Sequence, residues 1–180
     1  MTQDAAPLYP RLATYADRGN DRGRGRLWQV AWTLVHGLFF TSWWFPRRLR
    51  PPVLRLFGAK IGSGVIIRHR VRVTWPWKLV IGNDTWVGED SWLHTAGHIT
   101  LGSDVCLSQG VFLCPGDHDH RTSDFAVRLG HIRVEDGAWL ALQSLVLRDV
   151  TIGKGAVVGG RAIASRDVPA GGIVPLGTVH

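Results

Sequence analysis

Cysteine is nearly absent from this chain. Of 180 residues only Cys106 and Cys114 are cysteines, and their spacing fits no metal-ligand pattern, so two lone thiols of a reduced, cytosolic protein are expected. No basic strand interleaved with aromatics occurs, which argues against nucleic acid as the partner of a chain with net charge +7. No cleavage site follows an N-terminal apolar run, and the one long apolar stretch begins too far in for a signal peptide. From residue 61 onward, apolar residues do not keep the period of a helix.

They return every six residues instead. Ile61, Ile81, Val87, Leu101, Leu107 and Leu113 mark the first part of the series, and Val134, Leu140, Val146, Ile152, Val158 and Ala164 mark the second. Four residues after most of them stands another small or apolar residue, such as Val65, Val105, Ala138 or Ala162. A short strand and a tight turn repeat in this way, and hexapeptide repeats are a signature of the parallel β-helix, in which stacked coils fill one continuous column. The phrases Ile61-Gly62, Ile81-Gly82 and Leu101-Gly102 lie 20 residues apart. Each early coil is therefore three hexapeptides with a two-residue excess that a corner absorbs, whereas later coils keep strictly to six. The 22 glycines suit a fold with a corner every six residues.

One domain of this size buries a real core. Its expected layout is a mobile basic segment over 1–26, an apolar helical segment over 27–57 and the β-helix over 58–180. The apolar run Leu27–Phe45 is bounded by Arg26 and by Pro46-Arg47-Arg48. It admits three readings: a cap on the open end of the β-helix, a helix lying in a membrane interface, or a membrane span. Gln29, Thr33, His36 and Thr41 dilute it, and capping or subunit packing is preferred over peripheral membrane contact.

The series breaks between Leu113 and Val134, where about 15 extra residues form a loop over 114–133. A loop ejected from a rigid solenoid is a place to look for chemistry. It opens Cys114-Pro115-Gly116-Asp117-His118-Asp119. His118 holds the last position of its hexapeptide, so it stands on the rigid coil, where an imidazole can act as a general base near neutral pH. Asp117 and Asp119 flank it as candidates for orienting the ring. The competing reading of His118 is a solvated surface residue.

The phrases Leu54–Gly62, Trp75–Leu79, Cys106–Gly110, Leu113–Asp119, Ile132–Trp139 and Asp149–Pro169 resemble the left-handed β-helix acyltransferases of the hexapeptide-repeat superfamily, and more closely the colanic-acid-biosynthesis O-acetyltransferases. The resemblance implies a homotrimer with active sites in the grooves between subunits, acetyl-CoA as co-substrate and no metal. It implies His118 as the base that takes the proton of a sugar hydroxyl, direct transfer without an acyl-enzyme, and no nucleophilic duty for Cys114. It places acetyl-CoA against Trp139, Ala141, Gly159, Gly160, Ser165 and Arg166, although the tryptophan and the glycines also read as ordinary corner residues. Asp90 and His94 are candidates for the acceptor, a sugar or lipid-linked saccharide, or equally part of a solvated face. The C-terminus departs from the family's ending, which leaves the last coil and the nucleotide end of the donor site open. Three alternatives stand beside this reading: an O-acetyltransferase of a small molecule such as serine or an antibiotic, a γ-carbonic-anhydrase-like zinc protein using His94, His98, His118 and His120, and a silent scaffold.

Overall fold

The computed structural model describes residues 9, 10, 12–15 and 21–180. Most of the segment expected to be mobile, 1–26, lies outside the described residues. From Lys60 the chain winds into a parallel β-helix of about six turns. Three sheets form its walls. The first stacks Lys60–Ile61, Leu79–Ile81, His98–Leu101, His131–Val134 and Thr151–Ile152. The second runs from Ile66–Ile67 through Trp86–Val87, Cys106–Leu107, Trp139–Leu140 and Val157–Val158 to Ile173–Val174. The third runs from Arg72–Val73 to Ile163–Ala164.

The six-residue series is the interior column. Ile81, Leu101, Val134 and Ile152 fill it from the first sheet, and Val87, Leu107, Leu140 and Val158 from the second, each no more than 2% exposed. Three of the smaller residues at the intervening positions are polar, Thr85, Ser91 and Ser144; the Ser144 hydroxyl is buried without a hydrogen-bond partner, and the other two bond between coils. The Thr85 hydroxyl donates to the Gly102 carbonyl at 2.8 Å and the Ser91 hydroxyl to that of Ser108 at 3.1 Å. Corners turn through left-handed residues, of which Arg70, Asp90, Gly110, Gln143 and Arg161 form one column.

Register follows the spacing. Ile61 pairs with Ile81 and Ile81 with Leu101, whereas Val134 pairs with Ile152. The two-residue excess of the early coils always falls between the third sheet and the first. In one coil it is the turn Thr74–Lys78, and in the next it is His94–Gly97. The ladder resumes after the loop at His131, which pairs with His98. The loop thus ends at Gly130, not at 133, because this strand is four residues long and the period marks only its inward-facing members.

The N-terminal segment closes the first coil. Helix α1 (Arg26–Val35) continues into a π turn, His36–Phe40, and helix α2 (Arg50–Leu56) follows. Trp32 and Phe40 are buried in the core, with Trp28, Ala31 and Val35 packed beside them. An edge strand leaves main-chain groups without partners, and side chains take them up here. Trp32 Nε1 donates to the carbonyls of Val73 and Thr74, the Val73 amide donates to His36 Nε2 at 3.2 Å, and Arg55 donates to Ile61 and Gly62. The buried Arg50 donates to the carbonyls of Phe40 and Ser42 where the π turn ends. No helix among the described residues is long and apolar enough to cross a membrane, so the spanning reading of Leu27–Phe45 is set aside.

Burial, reinforced by the nearby positive charge of Arg72, lowers the pKa of His36 from 6.5 to about 4. In the fold its ring is neutral and Nε2 accepts a hydrogen bond, whereas in the unfolded chain it protonates near 6.5. The unfolded state therefore binds more protons between those values. Stability should fall as pH drops from 6.5 towards 4, by up to about 3 kcal/mol. Thermal melts across that window should show this loss in the wild type and a flatter profile in His36→Gln.

Candidate active site

The corner between the third and first sheets, where three successive coils are irregular, carries a cleft of about 450 Å³. Thr74 and Trp75 of the first coil line it, with His94 and Ala96 of the second and Gly116, Asp117 and His118 at the start of the loop. Tyr15 and Arg22 of the N-terminal segment close one side. Lys78, buried beside the cleft, donates to the Ala96 carbonyl at 2.6 Å and to that of Asp21, tying two corners to the N-terminal segment. Burial pushes its pKa down.

The loop is a hairpin standing on the corner. Gly116–His118 pairs antiparallel with Val127–Leu129, with Asp117 opposite Arg128 and His118 opposite Val127. The Gly130 amide closes its base on the Pro115 carbonyl at 2.8 Å. A Cβ on Gly97 in the coil below would sit 2.3 Å from the Gly130 carbonyl oxygen, so only glycine allows the chain to re-enter there.

His118 is positioned by main chain. Its Nδ1 lies 2.9 Å from the Phe125 carbonyl oxygen, and its ring stacks on that of Phe125 at 4.3 Å with a 6° tilt. A carbonyl only accepts, so Nδ1 carries the proton and Nε2 keeps its lone pair. Tyr15 lies 5.9 Å away, ring to ring. The flanking acids serve the loop instead. Arg128 grips Asp117 through two bonds of 2.8 and 3.0 Å, and Arg148 reaches it at 3.3 Å. Partial burial opposes ionisation of Asp117, but these guanidiniums hold its carboxyl below the usual range. The Asp119 carboxylate accepts from the Arg121 amide at 3.0 Å, which lowers its pKa too.

His94 shares the cleft, its Nδ1 3.1 Å from the Thr74 hydroxyl, and burial lowers its pKa, favouring the neutral ring. Asp90 stands elsewhere, on the corner between the second and third sheets, paired with Arg70 through two contacts of 2.7 Å. It does not line this cleft. Cys114 donates from Sγ to the Gly116 carbonyl, and burial pushes its thiol above the ordinary value, away from the nucleophilic thiolate. Among the described residues no group of three or more His, Cys, Asp and Glu comes together as a metal site.

The residues expected at the donor lie apart from His118 within one chain. Trp139 is on the second sheet, half exposed, with Nε1 donating to the Ser108 hydroxyl at 3.0 Å, and Ala141 follows it. The lack of a side chain at Gly159 is used by the next coil, since a Cβ there would meet the Leu176 amide at 2.6 Å. Gly160 faces the Leu176 side chain in the same way, at 3.2 Å. The Ser165 amide and hydroxyl both donate to the His180 carbonyl, and Arg166 is exposed. The unusual C-terminus closes a last coil: Val158 pairs with Val174, and Ile163 bridges to Val179.

Phe125, Thr74 and Tyr15 had no place among the expected site residues. Thr74 was findable, because it stands 20 residues before His94 in the same coil position. Phe125 acts through a carbonyl that every residue has, so no side-chain pattern announces it.

No known family profile matches the chain. The WcaF protein of Escherichia coli (strain K12), whose name assigns it to colanic acid biosynthesis as an acetyltransferase, is 41% identical over 152 residues, covering 83% of this chain and 82% of its own. A hexapeptide-repeat acetyltransferase of Vibrio cholerae O1 biovar eltor, solved with acetyl coenzyme A, superposes with TM-score 0.76 at 16% identity, over 90% of each chain. A galactoside acetyltransferase solved with coenzyme A gives TM-score 0.74 at 17% identity, over 83% of this chain and 76% of that one. These two likenesses bear on fold alone, that of the left-handed β-helix.

The Asp117 grip should set the order of the hairpin. Replacing both arginines (Arg128→Ala, Arg148→Ala) should speed tryptic cleavage after Arg121 by roughly tenfold while the global melt moves little, because the hairpin opens as a local unit. Proteolysis followed by mass spectrometry reads both.

Proposed function

Because the chain belongs to the hexapeptide-repeat acetyltransferases, in the family of the colanic acid biosynthesis acetyltransferases, we propose that it transfers an acetyl group from acetyl-CoA to a hydroxyl of a saccharide used in exopolysaccharide synthesis, either free or carried on a lipid. One observation carries the reading: the Phe125 carbonyl takes up Nδ1 of His118 and leaves Nε2 uncommitted beside a cleft that the histidine lines.

In this mechanism Nε2 of His118 takes the acceptor's hydroxyl proton as that oxygen attacks the thioester carbonyl. The tetrahedral intermediate collapses, the C–S bond breaks, and the imidazolium returns the proton to the departing thiolate. A positioned base contributes about 10²–10⁴-fold in rate, since a sugar hydroxyl is a poor nucleophile until its proton is removed. The Phe125 carbonyl keeps the ring oriented through Nδ1 while the proton passes through Nε2. Asp117 and Asp119 act at one remove, by holding the hairpin that carries the histidine. His94 supplies a neutral imidazole edge to a sugar hydroxyl. Asp90, on another corner, contributes only if a second copy brings it near.

Trp139, Ala141, Gly159, Gly160, Ser165 and Arg166 are assigned to the donor, with Arg166 towards its anionic end. None of them lines the His118 cleft within one chain, so the reading calls for a groove between copies, as in a homotrimer.

His118→Ala should lower acceptor-dependent thiol release from acetyl-CoA by at least about 10²-fold. Undiminished release in the variant would remove His118 as the base. Trp139→Ala should raise KM for acetyl-CoA several-fold with kcat less affected, as loss of binding made equally in ground and transition states requires. Steady-state kinetics with a panel of sugar acceptors measures both.

A further inference from the structure

Charge on this molecule is sharply divided. Residues 22–83 contain twelve Lys or Arg and not one Asp or Glu, so a chain of net charge +7 carries −5 on everything else. That basic segment is the helical cap and the first coil. Part of it is used internally: Arg50 and Arg55 serve main-chain carbonyls, and Arg68 and Arg70 pair with Glu89 and Asp90. Arg26, Arg47 and Arg48 are exposed.

The cap also has a second apolar face. Trp28, Ala31, Trp32 and Val35 of α1 turn to the β-helix. Leu27, Val30, Leu34 and Leu38 recur at spacings of three and four, and all are more than half exposed, Leu27 at 89%. Trp43, 81% exposed, and Trp44 extend this stripe towards Arg47 and Arg48. Burial on the β-helix explains the first stripe but not the second.

We infer that this outward stripe, rimmed by arginines, docks the protein on an anionic bilayer surface. The helix from Arg26 to Phe40 is about 22 Å long, short of the roughly 30 Å of hydrocarbon, so it lies in the interface plane. Exposed tryptophans beside arginines suit the headgroup level. Charge favours a bilayer over the pairing of two such faces: apposed, they would bring arginines against arginines with no carboxylate from residues 22–83 between them, whereas anionic headgroups complement them. The His118 cleft adjoins the cap. Thr74 and Trp75 line both it and a hollow that Trp32, Thr33 and His36 complete. Combined with the acetyl transfer proposed above, on which this clause alone rests, docking selects a membrane-borne saccharide as the acceptor.

Vesicle co-sedimentation of the full chain tests the docking without acyl donor or acceptor. The wild type should pellet with phosphatidylcholine vesicles containing about one third phosphatidylglycerol, should pellet far less with phosphatidylcholine alone, and should be released by roughly 0.5 M salt. Leu34→Asp/Leu38→Asp should weaken binding at least tenfold, and Arg47→Gln/Arg48→Gln should weaken it in the anionic vesicles only, with both melting like the wild type. No binding by the wild type, or undiminished binding by Leu34→Asp/Leu38→Asp, would overturn the inference. So would light scattering in which that variant loses self-association while the wild type ignores vesicles, since the stripe would then belong to a second copy. Thiol release with a soluble acceptor in the absence of vesicles reports on the transfer chemistry separately.

Discussion

Everything in this protein depends on main-chain pairing between successive coils. Most strands are two residues long, far too short to persist alone, and each is held only because the coil above and the coil below pair with it in register. Pairing of identical positions fixes which side chains stack, so one residue in six becomes a continuous apolar column. It also fixes corner positions, where left-handed residues such as Arg70, Asp90 and Arg161 recur in line. Gly159 is bare because the neighbouring main chain approaches where a Cβ would be.

The same constraint explains where chemistry is possible. A coil that must match its neighbours cannot insert residues within a strand; it can do so only at a corner, and a corner insertion must be tolerated by the corners above and below it. All three irregular corners of the early coils fall on one edge, Thr74–Lys78, His94–Gly97 and the hairpin after Pro115, and residues of all three line one cleft. His118 stands at the start of that hairpin, with Asp117 pinned by Arg128 and Arg148 beside it. The later coils keep strictly to six, and Trp139 lies on one of their strands.

A solenoid also has ends, and this one spends its N-terminal segment on closing the first. Trp32, His36 and Arg55 meet the open edge as hydrogen-bonding side chains in place of a further strand. His36 performs that task only as a neutral ring, which links the integrity of the cap to pH. The cap and the first coil, residues 22–83, together hold twelve of the 21 Lys and Arg, while eleven of the 14 acids lie from Asp84 onward.

Periodicity alone determined the coil, its register and its interior. A six-residue repeat can bury one column in only one way, and the 20-residue spacing of Ile61, Ile81 and Leu101 was visible before any coordinate. The break after Leu113 marked the loop, and the phrase around His118 marked its histidine, because both interrupt or decorate a regular series. The tertiary structure alone decided what holds that histidine. Asp117 and Asp119 were adjacent in sequence and chemically suited to orient it, yet in an antiparallel hairpin neighbouring residues point to opposite faces, and Asp117 meets Arg128 across the strands. The partner of Nδ1 is a carbonyl seven residues away, and a main-chain group leaves no mark on sequence. The pairing of Asp90 with Arg70 was legible by contrast, since the two stand one early coil of 20 residues apart, as Thr74 and His94 do. Pattern sets what repeats, and only folding in three dimensions sets which of the exceptions meet.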